Sequence, residues 1–160
     1  MEEDYVRPMP FSAPPSIEKD HEEILELMIR VQHLSGKTGS LAEKLAKDLK
    51  PHIDREEALA LPLLGILKDI AQGRLKNGVA KKAAVLCSKF EKEYANMVRA
   101  HTEIRGHLER LKKVGLEEGH PTALRFAEAL DRHAREEEEV FYPAALLAGK
   151  AAAARARSGH

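Results

Sequence analysis

Two stretches of this chain carry the same arrangement of metal-ligating side chains. One reads His52-Ile53-Asp54-Arg55-Glu56-Glu57. The other reads His133-Ala134-Arg135-Glu136-Glu137-Glu138, and Pro62 and Pro143 follow the two histidines at the same offset. A histidine and a glutamate four positions apart lie on one face of a helix, one turn apart. Imidazole nitrogens and carboxylate oxygens aimed at one space form a donor set for Fe, Mn or Zn. Upstream, His21-Glu22-Glu23-Ile24 parallels His101-Thr102-Glu103-Ile104, and the spacing from His21 to His52 matches that from His101 to His133 within one residue. A single His/Glu pair at this spacing is ordinary on an exposed helix. Its duplication, with a lone histidine before each copy, points to one joint site of His21, His52, Glu56, His101, His133 and Glu137.

Four imidazoles and two carboxylates suit a pair of cations. If Glu56 and Glu137 both bridge, each metal receives two histidines and two shared carboxylate oxygens. A bridging water or hydroxide makes five ligands and leaves one position for an outside molecule. No thiolate belongs to the set, which argues against a structural zinc cage. Glu57 and Glu138 lie one residue off the ligand phase and could support the ligands from behind or serve as alternative ligands. Tyr94 and Met97 share the stripe of His101 and could reach the edge of the site. His33, His107, His120 and His160 fall out of phase, or at helix ends and the tail, and read as solvated.

These side chains need helices to aim them. Ala, Leu, Glu and Lys dominate the sequence, a composition that favours helix, and no segment reads as a strand. Residues 1–15, with Pro8, Pro10, Pro14 and Pro15, read as an extended leader. Ser16 is the expected N-cap of a first helix running to about Leu34, which Gly36 and Gly39 break. Ser40 with Glu43 suggests a capping box for a second helix towards Ala71, bent or broken at Pro51 and Pro62. A third helix is expected over Val79–Val114 and a fourth from Pro121 to about Ala148, with 149–160 a flexible tail. Apolar stripes place the ligands inward: Ile17, His21, Ile24 and Met28; Phe90, Tyr94, Met97, His101 and Leu108; Leu130, His133, Glu137 and Phe141. The fold predicted is all-α, an antiparallel up-down-up-down four-helix bundle of two similar helical hairpins over residues 16–148.

Composition narrows the partners. The 160 residues carry 26 basic and 26 acidic side chains, a balance that argues against a nucleic-acid partner. The longest apolar run, Ala58 to Leu67, contains Pro62 and Gly65 and is too short to cross a bilayer. The opening Met1-Glu2-Glu3-Asp4 is unlike a signal peptide, and Cys87 is the only cysteine. The setting expected is reducing and cytoplasmic.

The set of His21, His52-x-x-x-Glu56, His101 and His133-x-x-x-Glu137 resembles the hemerythrin-like, or HHE cation-binding, domain over roughly residues 16–148. The resemblance implies a non-haem di-iron centre, with Glu56 and Glu137 bridging and the four histidines terminal. Oxygen-carrying members have a second histidine one turn before the position of His101, where this chain has Met97. They place the last acid one residue later, where this chain has Glu138. This chain also has no Trp. The differences favour reaction with, or sensing of, a small molecule such as O2, NO or peroxide over reversible oxygen carriage. A di-metal peroxidase, catalase-like protein or oxidase is the alternative, and a non-redox iron or zinc module the third.

Overall fold

The computed structural model describes residues 9–158. Their regular structure is helical throughout, with no strand among the described residues. The elements are α1 (Pro15–Gln32), α2 (Gly36–Leu59), the short α3 (Leu61–Leu64) and α4 (Leu67–Ala71), α5 (Asn77–Glu117), α6 (Pro121–Glu136), a π-helical turn (Glu137–Phe141) and α7 (Tyr142–Ser158). Helix α2 packs on α1 and α5, and α6 packs on α5 and α1, so these four close a ring. Helix α7 continues along α5, with α3 and α4 against it.

The core has two parts. One is built from Ile24, Met28, Leu45, Leu49, Ile53, Ile104, Leu108, Phe126 and Leu130. The other contains Leu61, Leu63, Ile66, Phe90, Met97, Tyr142 and Ala145. On α5 the first cluster includes Ile104 and the second Met97, and His101 lies between them. On α2, His52 and Glu56 likewise fall where Ile53 of one cluster gives way to Ala60 of the other. The candidate ligands therefore occupy a polar layer between two apolar ones.

Several local expectations are corrected. Helix α1 opens at Pro15, whose fixed φ suits a first helical position, so Ser16 is inside the helix and caps nothing. Gly36, at φ +78°, makes the turn between α1 and α2. Helix α2 then starts at Gly36, so the Ser40–Glu43 box does not form. The cap comes from a distance: Glu118 accepts from the Thr38 amide at 2.8 Å, the Thr38 hydroxyl at 2.6 Å and the Lys37 amide at 3.1 Å. A carboxylate there satisfies free amides and meets the positive end of the helix. Helix α2 runs unbroken through Pro51. Pro51 is exposed, so the carbonyl left without its amide partner can turn to water. Pro62 does break the chain, opening α3 after Ala60.

The last helix differs most. It does not run as one α-helix to Ala148, because the π turn divides it. Nor are residues 149–158 a flexible tail: α7 extends to Ser158, with Gly149 and Ala152 buried. Gly149 lies so close to the side chain of Cys87 that any β-carbon there would collide with it. Residues 159–160, and 1–8 of the expected leader, lie outside the described residues. Residues 9–14 are not helical. Ala13 is buried, and the carbonyl of Ser12 rests against Gly65.

Candidate metal centre

Four helices and the π turn converge on one buried space. Helix α1 supplies His21, α2 supplies His52 and Glu56, α5 supplies His101, α6 supplies His133, and the π turn supplies Glu137. None of the six is more than 6% exposed. They fall into two groups, His21 with His133 and Glu137, and His52 with Glu56 and His101. In each group the donor atoms lie within 4.8 Å of one another. Each group could hold a metal ion.

Glu56 and Glu137 lie between the two groups. His52 Nε2 is 2.7 Å from Glu56 Oε1, and His21 Nε2 is 3.3 Å from Glu56 Oε2. His133 Nε2 is 3.0 Å and His101 Nε2 is 3.8 Å from Glu137 Oε1. His101 Nε2 also lies 3.3 Å from Glu56 Oε1. Each carboxylate thus faces histidines of both groups. His21 and His133 meet edge to face at 4.9 Å between ring centroids, and His52 and His101 do the same at 4.7 Å.

Of these contacts only His101 Nε2 with Glu56 Oε1 has hydrogen-bond geometry. The Nε2 atoms of His21, His52 and His133, and one oxygen each of Glu56 and Glu137, are buried with no hydrogen-bond partner. Leaving a buried polar atom unsatisfied costs about 1–3 kcal/mol, and more for a charged group. Five such atoms around one space fit divalent cations, which would satisfy all of them together. The space enclosed by His52, Glu56, His101, His133 and Glu137 measures about 10 Å³.

Two of the outer ring nitrogens are held from behind, whereas Nδ1 of His52 is buried without a partner. His21 Nδ1 bonds Glu57 Oε1 at 3.1 Å, and His101 Nδ1 bonds Glu138 Oε1 at 3.0 Å. A carboxylate behind a histidine fixes the tautomer that leaves Nε2 free for a metal. Glu57 and Glu138 thus back the set, as their positions one residue off phase suggest. The two sides differ. Arg105 grips both oxygens of Glu138 at 3.1 Å and reaches Asp131 at 3.3 Å. The matching residue after His21 is Leu25, and the Glu57 side chain stays 42% exposed.

One site residue is invisible to α-helical periodicity. Tyr142 is fully buried, its hydroxyl donates to Glu56 Oε1, and its oxygen lies 3.3 Å from His101 Nε2. Its ring stacks on His101 at 5.5 Å. An unbroken α-helix would place Phe141, not Tyr142, one turn past Glu137. The π turn bonds the amide of Tyr142 to the carbonyl of Glu137, five residues back, and so rotates Tyr142 inward. Phe141 is only half-buried. Tyr94 does not reach the ligands; it packs on Tyr142 and Phe90. Met97 is fully buried in the apolar cluster that includes Tyr142. The other described histidines stay outside: His33 bonds the Ile29 carbonyl, His107 faces Asp48 and His120 bonds the Ser35 carbonyl.

Without cations, the buried charges settle unequally. Burial, and then the charge of Glu56, push the Glu137 carboxyl well above the ordinary carboxylate range. Burial works against the Glu56 charge too, but contacts with Glu137, His101, His21 and His52 hold its pKa well below that range. Burial, with the charge of His21 added, pulls His133 down to about 4. Burial also opposes charge on His21, yet Glu56 and Glu57 hold its pKa above the usual imidazole value. Burial and the Glu56 charge keep the Tyr142 phenol protonated, far above its usual value.

No family model, no curated protein and no solved structure matches the chain. No helix among the described residues is long and apolar enough to cross a membrane.

Proposed function

We propose that the chain is a non-haem di-iron protein that binds or reacts with a small oxidant, O2, NO or peroxide, for sensing, buffering or detoxification. Its architecture in this reading is an antiparallel four-helix bundle of two hairpins, the α1–α2 pair and the α5–α6 pair, related to the hemerythrin-like domains. The observation that carries the proposal is the set of buried, unpartnered donor atoms on three histidines and two glutamates, in two clusters of three potential ligands each. Iron fits an imidazole–carboxylate set that lacks thiolate and supplies redox chemistry when bound.

Tyr142 favours one further reading, a peroxidase-like or oxidase activity. Its hydroxyl donates to Glu56 and lies against His101, so it is a hydrogen-bond donor at the edge of the candidate ligand set that could orient a bound oxidant.

Elemental analysis and visible spectra test the reading, using protein purified without chelators. About two iron per chain, with absorption that changes on adding oxygen, nitric oxide or peroxide to the anaerobic reduced protein, is expected. Repeated turnover of peroxide per site selects the enzyme reading. Zinc, or iron without any oxidant response, sinks both in favour of a non-redox metal module.

A further inference from the structure

A groove of about 330 Å³ runs between α1 and α6. It is lined by Asp20, Glu23, Ile24, Leu27, Ala129, Arg132, His133 and Glu136. Asp20, Glu23 and Glu136 are paired with no cation among the described residues, and Arg132 is the one positive group among those that line it. At its floor lies His133, 94% buried, which also lines the enclosed space between the candidate ligands. Its Nε2 has no hydrogen-bond partner, and the charge of Asp20 acts on its ring. The matching histidine, His52, follows Pro51 on α2. Pro51 borders a separate surface hollow with Gln32, Glu43, Lys47 and Lys50.

We propose that the α1–α6 groove is the path by which a divalent cation reaches the centre, drawn in by Asp20, Glu23 and Glu136 and delivered to His133. The inference rests on the di-metal reading of the site. Divalent transition-metal ions such as Fe2+ and Co2+ bind exposed carboxylates weakly and prefer a site that adds imidazole nitrogens. A cleft lined by one sign of charge between low-dielectric walls raises the local concentration of the opposite ion and its on-rate. Arg132 opposes the pull, so its charge sets the rate without holding the ion.

The test is anaerobic stopped-flow loading of the full-length metal-free protein with Co2+, followed by cobalt absorption, at low ionic strength. The triple variant Asp20→Asn, Glu23→Gln, Glu136→Gln is compared with a control, Glu91→Gln, Glu109→Gln, Glu117→Gln on α5. Circular dichroism establishes that all are folded. The groove variant is expected to load on the order of tenfold more slowly, to reach the same two cobalt per chain, and to lose the difference in high salt. Arg132→Gln is expected to load faster than the parent. Equal slowing by both triple variants, or no response to Arg132→Gln, overturns the groove as the path. A parent chain that takes up fewer than two cobalt overturns the di-metal reading itself, and the proposal with it.

Discussion

The Tyr142 hydroxyl donates to Glu56 from a position five residues past Glu137, so the group that touches one candidate bridging carboxylate is set by the backbone that carries the other. The π turn is what joins them. It costs the last helix its regular ladder and returns a phenol to the polar layer.

Tyr142→Phe isolates that hydroxyl. The ring still stacks on His101, so folding and metal content are expected to stay intact. A hydrogen bond to a charged group contributes about 1.5–3 kcal/mol, and the metal-free variant should lose a similar amount in urea unfolding. If the phenol serves as a proton donor, the loaded variant reacts with peroxide at least about tenfold more slowly. An unchanged rate confines Tyr142 to holding Glu56.

Glu137→Gln separates the metal from the fold. In the metal-free protein burial and the Glu56 charge raise the Glu137 pKa well above the ordinary carboxylate range, which favours the neutral acid, and a glutamine copies its shape. Metal-free stability is therefore expected to change by less than about 1 kcal/mol. A bridging role requires the carboxylate, so iron content should fall from two to one or none. Two iron per chain in this variant removes Glu137 from the ligand set.

The two metal positions are not expected to be equal. Glu138 is clamped by Arg105, whereas Glu57 has Leu25 in the matching place and is part-exposed. A fixed carboxylate behind a metal-binding histidine is worth about 10–100-fold in affinity. Glu138→Gln should weaken one of two binding steps by about that factor, and Glu57→Gln should do less. Competition with a coloured chelator reads both steps. Equal effects of the two substitutions leave Arg105 without a role in metal binding.

How much of this was visible in the sequence follows from periodicity. His21, His52, Glu56, His101, His133 and Glu137 all converge, because the i,i+4 phase holds through regular helix up to Glu137. Tyr142 escaped because the π turn shifts the phase by one residue, and nothing local in Glu137–Phe141 announces it. Pro51 does not break α2, as one of the two outcomes read from the sequence required, because the rest of the helix is held by packing on α1 and α5, a tertiary property. The tail misled for a similar reason. Its run of alanines has little amphipathic pattern, and the signal was Gly149, whose importance appears only beside Cys87.

Gly149→Ala tests that contact. The added methyl has to enter the space held by Cys87 on α5. Overpacking of this kind costs about 1–3 kcal/mol, and thermal unfolding should move down accordingly. Cys87→Ala in the same chain removes only the sulfur and keeps the equally close β-carbon, so most of the loss should remain. If Gly149→Ala melts like the parent, α7 does not pack on α5 as described.

Glu118 gives a pH signature distant from the centre. Its hydrogen bonds from Thr38 and Lys37 lower its pKa below the usual 4.5. A carboxylate whose folded pKa is depressed contributes stability above its unfolded pKa, and loses it as pH falls through the folded value. The parent should therefore be more stable than Glu118→Gln at neutral pH, with the gap closing only below about pH 4.5. Salt should narrow it at neutral pH, since the group is exposed and meets the dipole of α2. Chemical unfolding of both proteins across that range is the measurement. A gap that stays constant with pH means that Glu118 acts through shape or hydrogen bonding alone and not through its charge.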